Sequence, residues 1–400
     1  MISTRAQWDI ILHNAWEIAR WRWCVATLYR AEVIGSLLRP AYLKEARQKW
    51  ESNQLSTRDF KCIEDRAVDE ALAVQEQTGV DVVTDGEMRR THFIAPLTDV
   101  ISGVKAIPAF KRIWKRPHEP NRPAEQTEIQ VQYAVVEKIR RLRTLTSEEF
   151  TYARSHAHRP LKVTLPSPLM MALRWSRQYS RDVYPDPFEL FADAAEIVRQ
   201  EAQELAALGC EYIQIDAPEL GMLCDPERRR QDFADAGIEP GRLLSDGIDL
   251  LNSVAAVPGV VFGLHLCRGN NRGYYVGEGG YEAVAQQVFS HARNFALLLL
   301  EYDDWRSGSF EPLRAIPSDR GVVLGLISTK RPELEAVESV IARIDEAARY
   351  YPREQLALST QCGFGTVWEG NPISEAIEAA KLRLVAHIAH RVWPQGAASI

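Results

Sequence analysis

GVVFGLHLC, residues 259–267, carries no charged residue and reaches a histidine and a cysteine only at its C-terminal end. Three later stretches repeat this pattern: FALLLLEY (295–302), GVVLGLIS (321–328) and QLALSTQ (355–361). Near-continuous apolar character, rather than strict apolar–polar alternation, marks parallel strands buried on both faces. Towards the N-terminus, RAEVIGS (30–36), VDVVTD (80–85), LKVTLP (161–166) and EYIQID (211–216) bring the candidate strands to eight.

Helical patterns lie between them. Residues 56–77 open with Ser56 and Thr57 and close before Gly79; residues 187–208 begin after Pro185 and stop at Gly209. Both carry the expected start and stop signals. Segments 282–293, 333–350 and 373–390 show the same spacing. Eight strands with helical crossovers predict an α/β fold, a (β/α)8 TIM barrel rather than an open sheet, over residues 30–400. The stretch 97–160 is too long for a simple connection and reads as an insertion after the second strand. It holds a helix at 146–155 and a Pro-rich basic part, KRIWKRPHEPNRP (111–123), expected to be a solvated loop tip. Residues 1–29, with Trp8, Trp16, Trp21 and Trp23, form an N-terminal extension. It reads either as an amphipathic helix against the body or another subunit of a homo-oligomer, or as an upstream start that adds little.

The bulk properties narrow the field. Of 400 residues, 46% are hydrophobic and 26% charged, an ordinary globular balance, and the net charge of −6 gives no reason to expect a nucleic-acid partner. No window approaches the ~18 uninterrupted apolar residues of a membrane span, and His13, Glu17, Arg20 and Arg22 break any signal-peptide core. Cys24, Cys62, Cys210 and Cys224 lack regular spacing and read as buried thiols in a reducing cytoplasm.

Polar residues sit where strands end. Glu87, Asp216, His265, Cys267, Glu301 and Cys362 all fall at or just past the C-terminal ends of candidate strands. In a barrel those ends converge on one face, which carries the catalytic loops. Strand alternation sends His265 and Cys267 to the same side. Glu301 ends a run of apolar residues, where a carboxylate needs a partner, and Gly363 after Cys362 permits close backbone approach. Two thiolates, an imidazole and a carboxylate form a borderline-soft set suited to Zn2+. Taken singly, each is equally well a buried cysteine, a core histidine or a salt-bridged glutamate. His387 and His390, one helical turn apart, have no third ligand nearby and read as a surface pair.

The motifs IGS (34–36), DGE (85–87), QID-P (214–218), HLC (265–267), LLLLE (297–301) and STQCG (359–363) occur in the order found in cobalamin-independent methionine synthases. The chain resembles the catalytic barrel of that family and its shorter relatives from about residue 30 to 385. The resemblance implies that His265, Cys267, Glu301 and Cys362 bind zinc and that Ser36, Glu87 and Asp216 bind the amino-acid part of homocysteine. Two carboxylates near one point suit an ammonium group and repel an anionic tail. From the residues alone, a Glu87 salt bridge to Arg89 or Arg90 and an Asp216 loop cap before Pro218 remain alternatives.

A thiol of pKa about 8.5 is mostly protonated at neutral pH, and zinc coordination would strip its proton and leave a lone pair for attack. The implied reaction is alkyl transfer to a small-molecule thiol, with homocysteine methylation to methionine as its leading version. On the donor side, PSPLMMALRWS (166–176) offers Trp175 as a stacking ring. LISTK (326–330) places Lys330 where full-length members have a proton-donating histidine, so Lys330 becomes the candidate catalytic group for a developing anion or an anionic substrate. Other thiols or donors fit the same chemistry: coenzyme M with an epoxide, a methylcorrinoid protein or a methoxy compound. A sulfonate-bearing thiol would call on Arg39, Arg89, Arg90 or Lys330. A zinc-sensing or zinc-storing paralogue is the non-enzymatic alternative, and the barrel decarboxylase of the porphyrin pathway is disfavoured because it needs no zinc.

Overall fold

The structure, a computed structural model, describes residues 27–116 and 125–400. The expected helical extension falls outside them except for its last three residues, as does the second half of the Pro-rich stretch, 117–123. Thr27–Leu28 instead pairs antiparallel with Ala398–Ser399 near the other end of the chain.

Seven parallel strands form one sheet: β1 (Ala31–Glu32), β4 (Lys162–Pro166), β5 (Tyr212–Asp216), β6 (Val261–Leu266), β7 (Leu297–Glu301), β8 (Gly321–Ile327) and β9 (Leu356–Thr360). Their order is β1-β9-β8-β7-β6-β5-β4. β2 (Val104–Arg116) and β3 (Glu125–Val135) form a separate antiparallel hairpin. The basic stretch expected as a loop tip is therefore, over 111–116, a strand arm. Lys115 pairs with Tyr275, tying the hairpin to the loop after β6.

The stretch 80–85, expected as a full strand, is reduced to one parallel bridge between Val83 and Leu161. It still runs between the two edge strands. Asp81 N–H bonds Ala31 C=O at 2.8 Å, Val83 N–H bonds Pro160 C=O at 2.9 Å, and Lys162 N–H bonds Val83 C=O at 2.8 Å. Side chains take the remaining ladder positions. The Asp81 carboxylate accepts from the N–H groups of Arg30 and Ala31, and the Gln75 amide pairs with both N–H and C=O of Thr84.

Helices cover the outer face. α1 (Ala41–Glu51) and α2 (Thr57–Thr78) follow β1; α2 is capped by the Ser56 hydroxyl, which accepts from Asp59 N–H, and ends at left-handed Gly79. α3 (Ser147–His156) lies within the insertion, close to the helix expected there. α4 (Pro187–Ala207) starts at an Asp186 cap, and α5 (Asp246–Val254), α6 (Val337–Ala347) and α7 (Glu375–Val392) complete the layer. The 282–293 pattern is shorter than expected, a single turn and then a helix at Ala285–His291.

Both sheet faces are buried, as the apolar runs require. Along β7, Leu298 and Leu300 join the core under the helices, whereas Leu297 and Leu299 join an inner layer with Ile34, Val82, Val323 and Ala357. Period-two alternation then assigns the chemistry to the inner side. Lys162, Thr164, Gln214, Asp216, His265 and Glu301 all alternate with residues packed against helices. No helix among the described residues is long and apolar enough to cross a membrane.

Candidate metal centre

His265 and Cys267 end β6, and Cys362 follows β9, three strands away in the sheet. On a flat sheet three spacings would separate them by about 14 Å. The curl of the sheet brings the ligand atoms of all three to within 4.8 Å of one another, all buried. The His265 ring is oriented from behind: Nδ1 lies 3.1 Å from the Leu299 carbonyl, which can only accept, so Nδ1 carries the proton. Nε2, facing the opposite way, is buried without a partner. A lone pair held toward two sulfurs by a backbone carbonyl is the arrangement of a metal-ligating histidine.

The two sulfurs lie close enough to act on each other. A hydrogen bond from the Cys362 thiol, aided by His265, overcomes burial and pulls the Cys267 thiol down to about 5; the same bond pushes Cys362 up. Burial alone would lower His265, but the adjoining Cys267 and Asp216 raise it. One imidazole nitrogen and two such sulfurs suit zinc.

The three residues open onto a cavity of about 360 Å3, whose wall also carries Ser36, Glu87 and Asp216. Asp216 is pushed up to about 7, chiefly by burial, with Glu87 adding to the rise and His265 opposing it; Gln214 Nε2 donates to its Oδ1 at 2.6 Å. Glu87 and Gly86 are both left-handed, at φ 54° and 69°. The resulting sharp turn after 80–85 puts the glutamate on the cavity wall, at a strain cost for a non-glycine residue. Gly363 approaches the Ser36 hydroxyl so closely that a Cβ there would collide with it. The close approach anticipated for this glycine is therefore to the loop after β1.

Residues 29–268 and 294–386 match the family described as Cobalamin-independent synthase, Catalytic domain. The uncharacterized protein YxjH of Bacillus subtilis is 34% identical over 378 residues, 91% of this chain and 95% of its own length. The chain belongs to the cobalamin-independent methionine synthase catalytic-domain family. A methionine synthase of Saccharolobus solfataricus is 26% identical over 332 residues, covering 83% of this chain and 86% of its own. Among solved structures, a Listeria monocytogenes protein named as a candidate vitamin-B12-independent methionine synthase superposes with a TM-score of 0.69 at 27% identity, over 92% of this chain and 99% of that one.

Within that family frame, the expected four-ligand set divides into three and one. Glu301 stands outside the close trio. Its Oε1 is bound by Lys330 Nζ at 2.9 Å and by an Arg306 guanidinium nitrogen at 3.2 Å, and its Oε2 accepts the Arg268 N–H at 2.7 Å. Burial works against the carboxylate, but Lys330 and then Arg306 and Arg268 outweigh it and keep Glu301 below the ordinary range. Lys330 is thus committed: it also binds Asp303 Oδ2 at 3.3 Å and is absent from the cavity wall. Two buried carboxylates hold its charge, so the residue singled out as a catalytic candidate sits behind the metal-site glutamate.

Trp175 is likewise no cavity residue. It lies in the core, its indole N–H donating to the Tyr184 carbonyl at 3.0 Å, and the wall is met instead by Met170, Leu173 and Arg174 of the same segment. None of the four cations held in reserve for an anionic thiol is on the cavity wall, although Arg90 stands 3.7 Å from Glu87, the ion pair left open for that glutamate by the sequence. Arg39 donates to backbone carbonyls of Leu37, Gly365, Glu87 and Arg90; Arg89 pairs with Asp65; and Arg90 pairs with Glu149. His390 bonds Asp81 at 3.0 Å rather than joining His387 in a second metal site. The five described cysteines are all free; Cys210 and Cys224 are buried as expected, Cys62 is exposed instead, and Cys24 lies outside the described residues.

Sequence reasoning missed Asn270, on the cavity wall, whose amide donates to Gly363 C=O at 2.9 Å and ties the two cysteine-bearing loops together. It also missed Gly221, where a Cβ would strike the Cys267 carbonyl. A polar residue three positions past Cys267 and a glycine inside a helical turn were the only signals.

Proposed function

We propose that this chain catalyses zinc-dependent alkyl transfer to a small-molecule thiol, with homocysteine S-methylation to methionine as the specific reaction. The observation that carries the reading is the unpartnered His265 Nε2, set beside two coupled cysteine sulfurs on the wall of a cavity that also presents Glu87 and Asp216. His265, Cys267 and Cys362 would hold the ion, with Glu301 as the fourth ligand once drawn from Lys330. Bound zinc supplies the acidity that keeps a substrate thiol ionised at neutral pH.

The protein's own groups do the rest. Leu299 fixes the His265 tautomer, Asn270 holds the two cysteine loops in register, and Glu87, Asp216 and Ser36 receive the amino-acid end of the thiol. Glu87 and Asp216 on the wall support an ammonium-bearing thiol over a sulfonate such as coenzyme M, with Arg174 the one arginine among the described residues of the same wall. The methionine synthase named among the relatives supports the same choice. In this reading the sheet is an eight-staved barrel, with 80–85 as the stave between β1 and β4 and the cavity at its C-terminal mouth.

The test is turnover of zinc-loaded protein with homocysteine and a panel of alkyl donors (methylfolate, methylcorrinoid, methoxy compound and epoxide), read by mass spectrometry of the thiol. Alkylated homocysteine is the expected product. Failure to alkylate any thiol with any donor would sink the transferase reading and leave zinc binding without chemistry.

A further inference from the structure

We propose that Arg90 and Thr164, anchored by Glu149 of α3, form a positioning relay that fixes Glu87 with one carboxylate oxygen presented to the substrate's ammonium group. The inference rests on the reading of Glu87 as the ammonium partner.

The relay is continuous. Glu149 Oε2 accepts from Arg90 Nε at 3.0 Å and from Nη2 at 2.8 Å; Arg90 Nη1 donates to Thr164 Oγ1 at 2.9 Å; the Thr164 hydroxyl donates to Glu87 Oε1 at 2.9 Å. Its direction admits no alternative, because a guanidinium only donates and a carboxylate only accepts. The one hydroxyl proton of Thr164 must therefore point at Glu87. Arg90 also stands 3.7 Å from the same Oε1.

One oxygen is thereby answered and the other is not. Glu87 Oε2 is buried and has no hydrogen-bond partner, although the residue is only 2% exposed and lines the cavity. A buried carboxylate oxygen left unmet is costly unless a ligand answers it. The backbone of Glu87 is pinned as well, its N–H by Asp85 Oδ1 at 2.9 Å and its carbonyl by Arg39 at 2.6 Å. Gly35 completes the seat, since a Cβ there would stand 2.7 Å from Glu87 Oε1. Glu149 comes from the insertion between the second and third strand positions. That segment thus bears on the substrate site without lining it at this point.

Calorimetric titration of homocysteine into zinc-loaded protein tests the relay. Thr164→Val, isosteric but without the proton, should weaken binding about tenfold or more, as expected for a lost hydrogen bond to a charged group. Thr164→Ser should restore it. Arg90→Lys, which keeps the charge and loses the fork, should act in the same direction. Binding of 4-mercaptobutanoate, a thiol without the amine, should be unaffected by Thr164→Val, and zinc should remain one per chain throughout. Glu87→Gln separates the two layers of the argument. If Glu87→Gln weakens homocysteine binding but Thr164→Val and Arg90→Lys do not, the relay is wrong while the ammonium site stands. If Glu87→Gln binds homocysteine as tightly as the native protein, the ammonium reading fails and the relay with it.

Discussion

At the N-terminal end of the sheet, Lys162 of β4 meets Glu32 of β1 at 2.9 Å; the Tyr212 hydroxyl lies 3.2 Å from both oxygens of that glutamate, and Lys162 also reaches the Val33 carbonyl at 2.5 Å. At the C-terminal end, on the same inner face, Glu87 Oε2, His265 Nε2, Gln214 Oε1 and Asn270 Oδ1 are buried without partners. The two ends use the same kinds of side chain at similar depth. What differs is closure: one set is complete in itself, and the other leaves hydrogen-bonding and metal-binding capacity unspent. A buried ion pair completed internally serves the fold and offers nothing to a ligand. Buried polar atoms left open point to one.

The largest test of this contrast removes an open-end ligand. Cys362→Ser or His265→Ala should empty the metal site and reduce transfer activity by more than the roughly 100-fold that losing even an outer-shell partner costs. Global stability of the metal-free protein should change far less. Zinc content by atomic absorption, set beside a urea melt, reads both at once. If zinc is retained at one per chain, the centre has been misassigned.

The closed end should answer in the opposite currency. Lys162→Met leaves Glu32 buried and unpaired, which should destabilise the fold by about 3–5 kcal/mol. Zinc per folded molecule and the KM for thiol should stay near the native values. A Glu32→Gln/Lys162→Met double variant should recover part of the loss. A change in zinc affinity with stability intact would break the distinction between the two ends.

Lys330 tests the boundary between them. It is buried and fully paired, as at the closed end, yet it holds Glu301 at the open one. Lys330→Met should change zinc affinity or activity by roughly 10- to 100-fold, the range for residues that orient a ligand. Competition with a chromophoric chelator measures it. No change would show that Lys330 belongs with the closed set.

A further effect is a slope with pH. Glu378 of α7 is pushed up to about 8, chiefly by burial, with Glu375 adding to the rise; Arg39 and the hydrogen bond from Leu38 N–H oppose it. The folded state therefore keeps a proton on Glu378 that the unfolded state releases near pH 4.5. Its contribution is fully present below that pH and is lost as pH rises through about 8, at no more than about 1.4 kcal/mol per pH unit. Urea midpoints at pH 5 and pH 8 should show the loss, and Glu378→Gln should flatten it.

How much of this was legible depends on distance along the chain. β5 to β9 could be read because an apolar run is local, and their ends carried His265, Cys267 and Cys362 in plain view. The stretch 80–85 was overcalled as a strand because Asp81, Gln75 and Thr84, polar groups that satisfy its ladder positions, look from the sequence like ordinary loop-edge residues. The core position of Trp175 was not legible, because an aromatic beside a candidate pocket and an aromatic in the core have the same local pattern. Lys330 was singled out from the sequence, but its partner Glu301 lies 29 positions away, beyond the reach of any local pattern.

Residue type and periodicity by themselves determined that the chain builds a parallel α/β sheet, that polar residues gather at its C-terminal strand ends, and that a histidine and two cysteines stand there with carboxylates nearby. Only the tertiary structure decided that Glu301 stands apart from the trio, that Arg90 stands beside Glu87 behind the cavity wall, and that Thr164 donates to Glu87. The reason is physical. Which face a residue takes follows from the backbone period, but which partner it meets follows from sheet curl and strand register, and these bring together residues that no local pattern connects.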